Sequence, residues 1–96
     1  GTLSSAYAAN TDWKKIEKIK VTTSSTGATY YLTPEGGAWG SPGCTSLQYV
    51  YFWASLSEQD AVFAIIPAAH AAGKEIRVFG DCNDPVYMYL DDIEIR

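Results

Sequence analysis

Side chains able to do acid–base, metal or nucleophilic chemistry are few and scattered in this sequence of 96 residues. His70 is the sole histidine. It lies among alanines in a helical stretch, without the partners that tune a general base, and reads as a surface or interface residue. Asp91, Asp92 and Glu94 are close enough in sequence to suggest a glycosidase-like carboxylate pair. Neighbouring residues of a strand point to opposite faces, however, so the cluster reads as solvated. Asp81, Asn83 and Asp84 put hard oxygen ligands in one turn, but a calcium loop wants more of them in regular alternation. Asx-type turn chemistry before Pro85 accounts for these residues. Two thiols and one imidazole do not make a four-ligand zinc set. Ser4, Ser5, Ser24 and Ser25 lack the G-x-S-x-G context of an activated serine. No glycine-rich phosphate loop precedes a helix. The sequence therefore predicts a protein that is not an enzyme, with no metal and no cofactor.

The aromatic residues carry the stronger signal. Tyr49, Tyr51 and Trp53 alternate with Val50, Phe52 and Ala54, and Tyr87 and Tyr89 alternate with Met88. Rings with polar tips suit carbohydrate, a protein partner or single-stranded nucleic acid. A formal charge of -4 argues against the last. A barrel has only one inside, so of two apolar sets on one strand one must face a partner or water. Trp39, in the middle of the loop PEGGAWGSPG, is either a cap on the core or a contact for a ligand. Lys14, Lys15, Lys18 and Lys20 crowd one early segment, as on an edge strand that lysine keeps from aggregating.

These residues need elements to hold them. Ser57 to Gly73, SEQDAVFAIIPAAHAAG, is the one clear helix. Ser57 and Asp60 have capping-box spacing, and Gly73 suits the left-handed residue that ends a helix. Val62, Ile65, Ile66, Ala69 and Ala72 form an apolar stripe. Pro67 removes one backbone donor and predicts a kink. Before the helix, Ile19, Val21 and Thr23 alternate with lysine and threonine, and a bulge near Glu17–Lys18 would return Ile16 to the face of Ile19. After the turn S-S-T-G come a second strand over 28–33 and a third over 47–54. After the helix, Ile76 and Val78 open a fourth strand, and Val86, Met88 and Leu90 a fifth, with a second phase break at Asp91–Asp92. The predicted fold is mainly β with one helix, in the order β-β-β-α-β-β. That is the order of an OB-fold-like five-stranded Greek-key barrel, the alternative being an open antiparallel sheet covered by the helix. The chain reads as a single domain over 1–96, with a flexible N-terminal arm over 1–11 and the barrel over 12–96.

Cys44 and Cys82 each adjoin a turn cluster and predict one disulfide, hence an oxidising compartment. No apolar run reaches the roughly 18 residues of a membrane span. No charged-then-apolar signal peptide is present and Gly1 does not follow from ordinary initiation, so the chain is either processed or begins with an added residue. A removed export signal would fit both facts, and with the disulfide the chain is expected to be secreted or periplasmic. The frame I-x-K-I-x-V, then P-G-C before the third strand, then A-x-x-A-G-K-E-I-R-V-F-G-D-C, resembles the B subunits of pentameric bacterial A–B toxins. The subtilase-cytotoxin and pertussis-like branch is the nearest in spacing, and the match covers about Trp13 to Arg96. The resemblance implies a glycan-binding OB-fold and a ring of five. In that branch a serine just before the first strand contacts the sugar, and the nearest positions here are Thr11 and Asp12. The residues expected to bind a ligand are thus Thr11, Asp12, Trp39, Tyr49, Tyr51, Trp53 and Tyr89. The function expected is a non-catalytic glycan-binding module that forms a homo-oligomer. The second reading is a protein-interaction or inhibitor domain using the aromatic face, and the third a small hydrolase. Surplus apolar surface on the third strand and the helix, including Phe63, Ala64, Ala68 and Ala71, supports self-association independently.

Overall fold

The computed structural model describes residues 8–41, 44–57, 59–81, 84 and 86–96. The protein is mainly β with one helix. In chain order the elements are β1 (Ala8–Asn10), β2 (Lys14–Thr23), β3 (Gly27–Pro34), β4 (Trp39–Ser41), β5 (Cys44–Leu47), β6 (Tyr49–Ser55), α1 (Gln59–Ala71), β7 (Glu75–Asp81) and β8 (Tyr87–Ile95). Six strands form one sheet in the order β1-β7-β2-β3-β6-β8, and β4 and β5 form a separate pair. β7 also pairs with β8, from Ile76↔Ile95 to Asp81↔Tyr89. The five strands read from the alternation correspond to β2, β3, β6, β7 and β8.

Side-chain alternation puts Ala28, Tyr30 and Leu32 of β3, Val50, Phe52 and Ala54 of β6, Ile76 and Val78 of β7, and Met88 and Leu90 of β8 into one core. Ile66 of α1, Ile16 of β2, Trp39 of β4 and Cys44 and Leu47 of β5 belong to it as well. Tyr30 stacks on Phe52 with ring centroids 5.1 Å apart. Of the helical stripe, Ile66 and Ala69 are buried, whereas Ile65 is 50% exposed and Ala72 lies exposed beyond the helix end. Val62 lies outside the residues whose side chains are described, and over 65–72 the buried stripe is narrower than its spacing predicts.

Both phase breaks are bulges. The β2–β3 register shifts between Ile16 and Lys18, leaving Glu17 as the extra residue. In the β7–β8 pair Phe79 faces Asp92 and Gly80 faces Leu90, leaving Asp91 extra. One added residue restores the inward phase of the apolar positions on each side. At the helix end Gly73 has φ 66. Lys74 N–H donates to the Ala69 carbonyl at 3.0 Å and Gly73 N–H to that of His70 at 3.1 Å, the paired bonds of a Schellman motif. The helix continues through Pro67. Ser57 precedes it, with Oγ 3.1 Å from that of Ser55; Glu58 and the Asp60 side chain, the rest of the expected cap, lie outside the described residues.

Three expectations are corrected. The N-terminal arm does not extend to residue 11, because Ala8–Asn10 pairs with Asp81–Phe79 of β7 and Thr11 N–H donates to the Val78 carbonyl at 2.9 Å. The glycine- and proline-rich loop contains β4, which pairs with β5 at Trp39↔Leu47 and Ser41↔Cys44. The lysine-bearing strand is not a simple edge: β2 pairs with β3 over most of its length and with β7 at Lys14 and Lys15.

Beyond Lys15, where the β7 pairing ends, the Ile16 carbonyl lies 2.9 Å from His70 Nδ1. The ring nitrogen must donate to that oxygen, so the lone histidine ties α1 to β2.

Candidate functional site

The outer face of β3, β6 and β8 is built from tyrosine. Alternation in β3 sends Tyr30 inward and Tyr31 outward. In β6 it sends Tyr49, Tyr51 and Trp53 outward while Val50, Phe52 and Ala54 are buried. β6 and β8 run parallel and place Tyr49 beside Tyr87 and Tyr51 beside Tyr89, and the β3–β6 register puts Tyr31 opposite Tyr51. Five phenols from three strands thereby share one patch. Tyr49 and Tyr87 stack at 5.5 Å with planes 10° apart. Tyr51 meets Tyr89 edge-on at 5.1 Å and Tyr87 at 5.6 Å. Tyr31 lies 5.8 Å from Tyr49 and 6.2 Å from Tyr51. Stacked and edge-to-face rings stiffen one another, each pair adding about 0.5–1.5 kcal/mol beyond its burial.

Tyr51 is at the centre. Burial, and after it the neighbouring phenols of Tyr87, Tyr49, Tyr89 and Tyr31, raise its pKa above the ordinary 10.0. It is a neutral hydroxyl at neutral pH, able to donate and accept. Tyr89 Oη accepts the Trp53 backbone N–H at 3.2 Å, which satisfies a donor where the β6–β8 pairing has ended at Tyr51. Trp53 is 46% exposed. Its indole lies over Gly27, where a Cβ would sit 2.7 Å from the ring. On the other flank, β2 brings Lys18 opposite Thr33 and Lys20 opposite Tyr31. The Lys20 ammonium is 5.3 Å from the Tyr31 ring centroid.

Of the residues expected to bind a ligand, Tyr49, Tyr51, Trp53 and Tyr89 come together on this face. Thr11, Asp12 and Trp39 do not. Thr11 is 4% exposed. Its hydroxyl accepts the Val78 N–H at 3.1 Å and donates to the Asp12 carbonyl at 2.9 Å. Both hydroxyl roles are thus used on backbone, and the side chain pins the β1–β2 junction to β7. Asp12 is exposed but accepts the Gly40 N–H at 2.9 Å, tying that junction to β4. Trp39 is 0% exposed. The β4–β5 pair folds over the core and carries the indole inward, so the core-cap reading of Trp39 holds and the ligand reading is corrected. Tyr31, Thr33, Lys18 and Lys20 were missed as site residues. The signal for Tyr31 was the alternation with Leu32, which in a tyrosine pair decides which ring faces out.

Of the acidic residues of β8, Asp91 and Asp92 line one groove with Phe52, Ile65 and Leu90, and Glu94 is engaged by an arginine. Arg77 Nε donates to Glu94 at 2.9 Å and Arg96 Nε to Glu75 at 3.0 Å. The two guanidiniums lie 4.9 and 4.3 Å from the Trp13 ring centroid. This cluster joins the start of β2 to β7 and β8. Among the described residues no three His, Cys, Asp or Glu side chains gather as a metal site, and no helix is long and apolar enough to cross a membrane. Cys44 is buried, with Sγ 3.7 Å from the Asp84 carbonyl oxygen; Cys82 lies outside the described residues. No protein-family model, curated protein or solved structure matches the chain.

Proposed function

We propose that this chain is a non-catalytic, glycan-binding module on an OB-type barrel, secreted or periplasmic, and similar in role to toxin B subunits. The observation that carries the binding reading is the tyrosine face. The interior is filled by Val50, Phe52, Ala54 and Met88, so five phenols and Trp53 are left outside with no core to serve. Phenols supply apolar edges and hydroxyls together, the combination that sugar rings require. Thr29 and Thr33 lie half-buried in β3 beside them. The barrel reading rests on the pairings: from β2 they pass through β3, β6 and β8 to β7, and β7 pairs with β2. The parallel β6–β8 contact within an otherwise antiparallel set matches that Greek-key order.

A glycan array is the test. The intact chain is expected to bind a subset of glycans. Tyr49→Ala with Tyr87→Ala is expected to lower that binding by about tenfold or more, the loss of roughly 1.4 kcal/mol or more. Near-UV circular dichroism should remain that of a folded protein. An array without hits would remove the glycan reading and leave the protein-partner reading, in which the same aromatic face meets another protein.

Self-association is part of the proposal. Leu56 is 63% and Ile65 50% exposed. Ile65 borders a groove of about 330 Å³ with Phe52, Leu90 and Ile93, lined also by Asp91 and Asp92. Exposed apolar surface of this kind marks an interface, and symmetric closure is its common outcome. Sedimentation at micromolar concentration is expected to show an assembly; a clean monomer would overturn it.

A further inference from the structure

We propose that the groove between α1 and β8 binds a small organic cation, an amine or guanidine carried on an alkyl or aromatic body. The groove opens where the sheet parts. The parallel β6–β8 pairing ends at Tyr51↔Tyr89, and the next residue of each strand, Phe52 and Leu90, belongs to the groove lining. Phe52, Leu90 and Ile66 are 9%, 8% and 4% exposed and make an apolar floor. Ile65, Asp91 and Asp92 are exposed at the rim. The volume is about 330 Å³, within the range of small-molecule sites, which begins at about 300 Å³. An apolar floor with a few convergent polar groups is the usual composition of such a site. Phe52 lies on the core side of β6 and Tyr51 on the other, so the groove is separate from the tyrosine face and the inference does not depend on the glycan reading.

The bulge brings the carboxylates there. Adjacent residues of a regular strand point to opposite faces, which would leave one of Asp91 and Asp92 outside. Asp91 is the extra residue of β8 between Phe79↔Asp92 and Gly80↔Leu90. A bulge re-aims side chains, and both carboxylates line the groove. Among the described residues neither is in an ion pair, whereas Glu75 of β7 and Glu94 of β8 are each held by an arginine. No cationic side chain is in the groove lining. Two anions beside an apolar floor attract a positive charge more strongly than in open water, because the effective dielectric constant is lower there. A two-fold contact sets the same patch of both copies face to face, so two such grooves would repel each other. A protein partner engages roughly 20–30 residues a side, and this groove is lined by seven. The occupant that fits both size and charge is a small cation with an apolar body.

The experiment titrates phenethylamine, phenethyl alcohol and phenylpropionate into the intact chain and follows the methyl resonances of Ile65 and Ile93 by NMR. The three probes share a ring and differ in charge. The amine is expected to shift both methyls and to bind about tenfold or more tighter than the alcohol, the size of one hydrogen bond to a charged group. Phenylpropionate is expected to bind more weakly than the alcohol, and methylammonium, which has the charge without the body, to leave the methyls unmoved. Asp91→Asn with Asp92→Asn is expected to bring the amine down to the alcohol, and unchanged alcohol binding shows that the groove persists. Ile65→Gln is expected to weaken amine and alcohol alike. Glu17→Gln with Glu35→Gln, exposed and outside the groove, is expected to keep the advantage of the amine, as is Tyr49→Ala with Tyr87→Ala. Equal losses in the two acid variants would mean diffuse attraction and overturn the inference. So would equal binding of amine and alcohol by the unaltered chain, or no shift of either methyl with any probe. Amine binding that dissociates an assembly in sedimentation would place a second copy in the groove and overturn it too. None of these outcomes bears on the glycan array.

Discussion

Gly80→Ala is expected to lower the unfolding free energy by about 3 kcal/mol or more, the upper part of the range for overpacking. Small domains have roughly 5–15 kcal/mol in all, so the variant should populate unfolded chain or fail to accumulate. The cause is the bulge in the β7–β8 pair. Gly80 lies where Asp91 is the extra residue of the partner strand, and the bend brings the two backbones together. A Cβ on Gly80 would lie 2.1 Å from the Tyr89 carbonyl oxygen and 3.0 Å from Leu90 Cα. Both are backbone atoms, so relief needs movement of β8 itself, and β8 carries Met88 and Leu90 of the core and Tyr87 and Tyr89 of the outer face. Urea unfolding of Gly80→Ala against Gly40→Ala is the measurement. Gly40 has no atom within 4 Å of its Cβ position, and its N–H bond to Asp12 survives the change. Equal midpoints for the two variants would show that β7 and β8 can separate at little cost.

Reduction of a Cys44–Cys82 disulfide is the second large effect expected, with a loss of about 4 kcal/mol for a loop of this length, less any strain. Cys44 is buried at the start of β5, and its sulfur faces the carbonyl of Asp84, two positions after Cys82 in the chain. A bond there would staple the β4–β5 pair to the segment between β7 and β8, and with it the lid that holds Trp39 in the core. Thiol titration of the unfolded, unreduced protein is expected to find no free thiol. Reductant is expected to lower the urea midpoint, with no effect on a Cys44→Ala/Cys82→Ala variant. Two titratable thiols would end the disulfide and the argument from it to an oxidising compartment.

The strands that alternate in sequence alternate in space, and the reason is local. A period of two in Ala28–Leu32, Val50–Ala54 and Ile76–Val78 can be met by only one backbone geometry. Each break in that period, at Glu17 and at Asp91, needs one extra residue to keep the apolar positions inward. The helix end at Gly73 is local too, since few residues other than glycine adopt φ 66 at low cost. The strand β4 was not legible, because Pro34 to Gly43 has the composition of a loop and Trp39 pairs only through contact with Leu47. Thr11 was misread because its residue type does not say whether a hydroxyl faces water or a backbone amide such as that of Val78.

What the sequence by itself determined is therefore the five longer strands β2, β3, β6, β7 and β8, the helix α1 and the two sides of those strands. It could not choose which side of β6 is the inside, since Val50, Phe52 and Ala54 compete with Tyr49, Tyr51 and Trp53 on nearly equal apolar terms. Only the tertiary structure decided that. The partners of β6 are β3, before it in sequence, and β8, beyond the helix and running parallel to it. Those non-local pairings put α1 and the core on one side, and gathered Tyr31, Tyr49, Tyr51, Tyr87 and Tyr89 on the other. Hydrophobic periodicity acts within a strand, whereas a face made of three strands is set by register between distant segments.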